Sequence, residues 1–310
     1  MLVSIIIPVF NRAEMVKVTL ESVVRQTHRP IQLVLVDNNS TDDTWGVLQD
    51  FKQKYEDENF SVDVIFEKKQ GASAARNTGA KIAKASWLMF FDSDDTMDLC
   101  LVEKYVEKIK CGNCDVVCTR IETIIGDDKV ISFLAKDNFL INHLFHACLS
   151  TGRYIIRKKI LEKVKGWNES LSYWDDWELG VRILLENPQI AIVDDGVYIH
   201  VYAHKDSITG TSYSEKFSEA KIAISAVEFA IKGSECKNKI VLLTCVRYRK
   251  VLLAGLCKKE GRSDFAAELL REVNRELKGN IKIKILYNLL YYYVSVGGRG
   301  SQRIVKFLVK

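Results

Sequence analysis

Phe91-Asp92-Ser93-Asp94-Asp95 sets three carboxylates within four positions at the end of an apolar run, Trp87-Leu88-Met89-Phe90-Phe91. The run reads as a buried strand. Ionised side chains this close repel one another unless a cation or a basic partner stands among them. A hard divalent cation, held by one or two carboxylates with phosphate oxygens completing its shell, is the usual solution. The cluster therefore points to metal-assisted chemistry on a phosphorylated substrate. Its alternative is a solvated acidic turn that caps the following helix, and an isolated Asp-x-Asp would favour that. Other polar segments shift the balance: Val36 to Thr44, Gly71 to Gly79, and the acidic pair Asp175-Asp176.

These residues need elements to hold them. Val3 to Val9, Leu33 to Val36, Val62 to Phe66 and Trp87 to Phe91 are apolar strand patterns. Helical spacing lies between them: Val16, Leu20, Val23 and Val24, then Trp45 to Phe51, then Ala72 to Ala83. This alternation predicts an α/β fold with a mostly parallel central sheet covered by helices on both faces. Ligands of such sheets bind beyond the carboxyl ends of the strands, where all the polar segments fall. After Asp115, strands are expected over Val116 to Ile125, Val130 to Leu134, Tyr154 to Ile156, Ile190 to Val193 and Val197 to Val201. Helices are expected over Lys158 to Val164 and Trp177 to Leu185. From about Tyr213 the pattern is helical, with one helix capped by Ser263 and Asp264 and stopped at Gly279. The reading is thus a catalytic-type domain over 1–212 and a smaller helical region over 213–310.

The 310 residues carry a net charge of +5, spread unevenly. Acidic residues dominate Asp37 to Asp98, whereas the last thirty residues hold Lys and Arg with no Asp or Glu. No nucleic-acid partner is expected. Leu2 to Phe10 lacks a basic preface and contains Pro8, so it does not read as a secretory signal. No apolar run reaches the roughly 18 residues of a membrane span. Without an export signal the eight cysteines are expected as reduced thiols, and Cys111, Cys114 and Cys118 have no second ligand pair at zinc-site spacing.

In order and spacing, the segments Ser4-Ile5-Ile6-Ile7-Pro8-Val9-Phe10-Asn11-Arg12, Val36-Asp37-Asn38-Asn39-Ser40-Thr41-Asp42-Asp43-Thr44, Gly71-Ala72-Ser73-Ala74-Ala75-Arg76-Asn77-Thr78-Gly79, Phe91 to Asp95 and Trp174-Asp175-Asp176-Trp177-Glu178-Leu179 resemble family 2 of the inverting glycosyltransferases, with the GT-A nucleotide-diphospho-sugar transferase fold. The resemblance covers roughly residues 1–210. It implies transfer of one sugar from a nucleotide-diphosphate donor, a UDP-sugar by expectation, to a hydroxyl of a glycan or lipid-linked acceptor. It places Pro8, Phe10, Asn11, Asp37, Asn38, Arg76, Asn77, Asp92 and Ser93 around the donor. It also makes Asp94 the ligand of Mg2+ or Mn2+ and Asp176 the base that takes the acceptor's proton. Asn38 stands where the family carries a base-reading carboxylate. Its amide oxygen can still accept from a ring N–H but brings no charge. His204 resembles a late His-x-x-Ser segment that reaches metal or diphosphate, with a surface histidine as the alternative. The other four histidines are expected to be structural. Trp174 and Trp177 either stack on a sugar or pack in the core.

Two rival readings remain at this point. A nucleotidyltransferase would want a Gly-rich phosphate loop and a Lys near the first strand, which Pro8-Val9-Phe10-Asn11 does not supply. A non-catalytic sugar-nucleotide-binding protein would have no need of a base. The basic, Tyr- and Leu-rich stretch Ile281 to Lys310 suits either docking onto preceding helices or an anionic membrane surface. The expected location is the cytoplasm or the inner face of its membrane.

Overall fold

The computed structural model describes residues 1–203, 212–277 and 281–308. The chain opens with β1 (Val3–Val9), α1 (Val16–Val24), β2 (Ile31–Asp37), α2 (Thr44–Tyr55), β3 (Phe60–Phe66), α3 (Ala72–Ile82) and β4 (Trp87–Phe90). β5 (Thr96–Met97), α4 (Leu101–Cys111), β6 (Val116–Cys118), β7 (Glu122–Ile125), β8 (Asp128–Ile131) and α5 (Phe139–His146) follow. Next come β9 (Tyr154–Arg157), α6 (Lys158–Lys163), α7 (Asp175–Leu185), β10 (Ile190–Ile192) and β11 (Ile199–Tyr202). Five helices close the chain: α8 (Phe217–Gly233), α9 (Lys239–Lys259), α10 (Ser263–Glu276), α11 (Ile281–Ser295) and α12 (Gln302–Leu308).

A seven-stranded sheet runs β10-β6-β9-β4-β1-β2-β3, parallel except for β9. Every residue of β1 and β2 is buried, as expected of parallel strands covered on both faces. Alternate side chains divide between two cores. Ile5 and Ile7 pack with Val16, Leu20 and Leu48 on one face. Ile6, Val34 and Val36 pack with Ala75, Leu179 and Ile183 on the other. Gly79 lets α3 approach this second face, because a Cβ there would strike Ile6. Each fully buried aliphatic side chain contributes about 1.5–3 kcal/mol, so the alternation sets the register of the whole sheet.

β9 departs from the parallel rule because the chain re-enters the sheet from the carboxyl end of its neighbours. Tyr154 lies opposite Cys118, and Gly152 N–H donates to the Phe90 carbonyl at 3.0 Å. Thr151 is thereby delivered beside the end of β4. The stretch expected as one strand from Val116 to Ile125 is two. β6 belongs to the large sheet and β7 to a second sheet, β5-β11-β7-β8. Between them Thr119 turns away, its N–H on the Arg153 carbonyl (2.9 Å) and its hydroxyl on the Val193 carbonyl (3.0 Å).

The C-terminal helices gather around α9, and their core takes in Leu144, Tyr173, Trp177 and Val181 from earlier elements. α10 starts at Ser263 itself, with Arg262 in the capping position and no side-chain cap. The expected Ser263 cap is therefore displaced by one residue, since Arg262 follows the left-handed Gly261. All eight cysteines are free thiols.

Candidate active site

At the carboxyl end of β4, Phe91 N–H still donates to the Ile6 carbonyl (2.9 Å), and the chain then turns through the acidic loop. Asp92 meets the Arg76 guanidinium at 2.8 Å and Asp94 meets that of Arg12 at 2.5 Å. Ser93 and Asp95 are buried. Burial, with Asp92 and Asp94 beside it, pushes the Asp95 carboxyl up to about 8. Across the cleft, α7 begins with Asp175 and Asp176. Five carboxylates thus gather around two guanidinium groups. Among the described residues no cluster of His, Cys, Asp or Glu is already arranged as a metal cage. The surplus of hard oxygen donors on the loop nevertheless fits a divalent cation of the magnesium or manganese kind that shares its shell with phosphate oxygens.

Arg76 ties the two halves together. It projects from the first turns of α3, is buried, and reaches Asp92, Asp175 at 3.2 Å and Asp176 at 4.0 Å. Burial opposes its charge, but Asp92, Asp176 and Asp175 outweigh burial and raise its pKa. Its Nε is buried without a hydrogen-bond partner among the described residues. Arg76 is therefore spent largely on holding the acidic loop against the start of α7.

Asp175 also accepts from Ser73 Oγ at 3.0 Å, and burial followed by the charge of Asp176 raises its carboxyl pKa. Asp176 accepts from Thr151 N–H (2.8 Å), Thr151 Oγ1 (2.6 Å) and Trp167 Nε1 (3.2 Å), so three donors fix its direction. About a quarter of its side chain stays accessible, 24%. The turn into α7 is made by Trp174, in the left-handed region at φ 55°. The Arg249 guanidinium, from α9, lies over the rings of Trp174 (4.4 Å) and Trp177 (4.6 Å) and donates to the Leu144 carbonyl at 3.2 Å. Burial lowers its pKa to about 10. Trp177 is a core residue, so the packing alternative holds for it, whereas Trp174 is half-buried with this cation over its ring.

On the other side of the loop, Pro8 lies within β1 opposite Val36, and Phe10 is exposed at the strand's end. Asn11 adopts φ 48° and accepts from Thr41 N–H at 2.7 Å, while Asp37 accepts from Ser40 N–H at 3.0 Å. Two further residues expected around the donor have both ends of their amides engaged with protein. Asn38 accepts from Gly71 N–H (2.7 Å) and donates to the carbonyls of Lys69 (2.7 Å) and Glu67 (3.3 Å). Asn77 exchanges both ends of its amide with Trp167 and donates to Glu169 at 2.8 Å. Both amides therefore shape the loops that wall the cleft. His204 lies outside the described residues.

Arg12, Ser73, Thr151, Trp167 and Arg249 carry much of the geometry and were given no role from sequence. Arg12 and Ser73 sit inside the recognised segments and could have been found there. Thr151 and Trp167 depend on the reversed strand β9 and the turn after α6, and Arg249 on helix packing some seventy residues downstream. No local pattern marks them.

The comparisons agree with this architecture. The family model described as "Glycosyl transferase family 2" matches residues 4–169. The "Uncharacterized glycosyltransferase EpsJ" of Bacillus subtilis (strain 168) is 23% identical, over 88% of this chain and 86% of its own. The "UDP-Glc:alpha-D-GlcNAc-diphosphoundecaprenol beta-1,3-glucosyltransferase WfaP" of Escherichia coli is 38% identical, over 30% of this chain and 36% of its own. Among solved structures, S. aureus TarS 1-349 in complex with UDP-GlcNAc superposes with a TM-score of 0.74, at 18% identity and covering 99% of this chain and 91% of that one. With the GT-A sheet, the acidic strand-end loop and the acidic helix start all in one cleft, and more than half of its length matched, the chain belongs to glycosyl transferase family 2.

Proposed function

We propose that this family 2 glycosyltransferase is a metal-dependent inverting enzyme, moving one sugar from a UDP-sugar to a hydroxyl of a cell-surface glycan or lipid-linked acceptor. The observation that carries the reading is the connected set Asp94–Arg12 and Asp92–Arg76–Asp175/Asp176, which sets a diphosphate-type loop against a carboxylate held by three donors. Asp176 takes the proton of the acceptor hydroxyl as that oxygen attacks the anomeric carbon. The bond from this carbon to the diphosphate oxygen breaks, the oxygen keeping the electron pair, and attack from the opposite face inverts the configuration. Asp94, with His204, would hold the cation, which supplies neutralisation of the negative charge that develops on the departing diphosphate. Phe10, Asp37 and Ser93 line the donor side, and Arg76 keeps loop and helix in register. The named acceptor of the WfaP relative, a diphosphoundecaprenol-linked sugar, supports work at the inner face of a membrane.

Asp176→Asn retains the shape but cannot take a proton, and its NH2 replaces one of the two oxygens that accept from Thr151 N–H and Trp167 Nε1. Turnover should fall by about 10²-fold or more while the donor nucleotide still binds. The two are separated by initial rates and calorimetry, and the anomeric configuration of the product is read by NMR. Unchanged turnover would move the base role to Asp175, and a retained configuration would end the single-displacement reading.

A further inference from the structure

α11 is apolar on two opposite faces. Tyr287, Leu290, Tyr291 and Val294 are buried, with Tyr287 Oη donating to the Thr244 carbonyl at 2.7 Å and Val294 seated against Gly255. That face docks the helix on α9. The opposite face carries Ile281, Ile285, Leu289 and Tyr292, which are 72%, 56%, 62% and 64% exposed, and Val296, one residue past the helix, is 84% exposed. At about 100° per residue the four helical positions cover an arc of only about 80°, directly across from the buried one. A surface helix normally turns its polar side to water, and a continuous exposed apolar strip of this kind marks a contact surface.

The charge around the strip selects the contact. Residues 281–310 contain six basic side chains and no acidic one. Lys282 and Lys284, on the first turn of α11, are exposed, as are Arg299 and Arg303 beyond its end. Lys306 is turned inward, onto Asn142 and the ring of Phe133. No helix among the described residues is long and apolar enough to cross a membrane. We infer that the outer face of α11 is a membrane-contact surface, lying in the headgroup region of an anionic bilayer with Ile285, Leu289 and Tyr292 dipped inward and the flanking Lys and Arg on lipid phosphates. This is the interfacial mode of an amphipathic helix, with each basic residue adding electrostatic attraction. The inference deepens the reading of a lipid-linked acceptor and rests on it for its purpose, since the same face would hold the enzyme where that acceptor lies.

Flotation of the purified chain with phosphatidylcholine vesicles, with and without phosphatidylglycerol, tests it without any substrate. The chain should float with the anionic vesicles at low salt, and binding should weaken strongly at about 1 M salt, where the Debye length shrinks to about 3 Å. Ile285→Ser with Leu289→Glu should lower partitioning by at least about tenfold, and Lys282→Ala with Lys284→Ala by a similar factor. Val18→Ser, at an exposed apolar position on α1, should change nothing. All the substituted side chains are exposed, and thermal unfolding of each variant verifies that folding survives. Absence of binding to anionic vesicles, or binding indifferent to both α11 variants, overturns the inference. So does a dimer in sedimentation that the Leu289→Glu variant dissolves, because a second copy would then cover the strip. Transfer to a water-soluble acceptor is measured in the same samples. Failed flotation with intact transfer removes only the membrane surface, whereas intact flotation without transfer removes only the transferase reading.

Discussion

Two buried cations, each surrounded by carboxylates, do different work in this molecule. Arg76 in the cleft and Lys250 in the C-terminal bundle are 8% and 6% exposed. Lys250 meets Glu228 and Glu276 at 2.7 Å each, and Glu272 at 4.0 Å. Lys221 answers Glu268 and Glu272, and Arg247 answers Glu276 at 2.8 Å. Four glutamates thus share three cations, all on regular helices, and the network is close to neutral. Around Arg76 five aspartates share two guanidinium groups. They stand on loop turns and a helix start, with left-handed backbone at Asn11 and Trp174. A balanced network on rigid helices ties helices together. An unbalanced one at strand ends, where the Asp95 carboxyl is already pushed up to about 8, fits the cation proposed above.

The sharpest break between the two should come from removing one carboxylate in each. Asp94→Ala is expected to lower transfer by about 10²–10³-fold or more, as loss of one preorganised electrostatic group does, and to remove the effect of added manganese on donor binding. Glu268→Ala, half exposed in the bundle, should leave transfer alone and shift stability by less than about 1 kcal/mol. Equal effects would show that the surplus charge in the cleft has no function of its own.

Exchange of the cations comes next. Arg76→Met takes the cation from Asp92 and Asp175, and Lys250→Met takes it from Glu228, while the other carboxylates keep partners; each should cost about 1–3 kcal/mol of stability. Denaturant titration should show similar losses. Initial rates below the unfolding transition should show transfer lost only in Arg76→Met, because only that residue holds the acidic loop against α7.

A pH test addresses the joint between the regions. His143 is buried, its Nδ1 accepting from Leu149 N–H and its Nε2 meeting the Trp177 carbonyl on α7. Burial pushes it down to about 4 from a reference of 6.5, the Trp177 carbonyl opposing. Between those values the unfolded chain holds the extra proton, so stability rises with pH across the window and is lost as pH falls through it. The loss should approach about 3 kcal/mol near pH 4. His143→Gln should flatten the slope in part, the remainder lying with His146, which burial also lowers to about 4. An unchanged slope would place the acid sensitivity elsewhere.

The smallest expected effect concerns Asn38. Replacement by the carboxylate that the family carries at this position would remove a donor from two carbonyls, those of Lys69 and Glu67. Asn38→Asp should therefore cost about 1–3 kcal/mol and weaken donor binding through the loop. Stronger UDP binding without loss of stability would instead make the residue a reader of the base.

The strands and the acidic clusters were legible because they obey short-range rules. Continuous apolar runs such as Ile5 to Ile7 are buried whatever surrounds them, and three aspartates in four positions repel wherever they stand. The order of the clusters, each following a strand, already gathered them at one sheet edge. Sequence by itself thus determined the fold class and the gathering of these carboxylates at one end of the sheet. Only the tertiary structure decided which side chains those carboxylates meet. The reversal of β9 brings Thr151 to Asp176, the reach of α9 sets Arg249 on Trp174, and the loop around Asn38 occupies an amide that was free to face a ligand. Such pairings depend on how distant segments cross, where each partner is chosen by distance and burial and leaves no periodic mark on the chain.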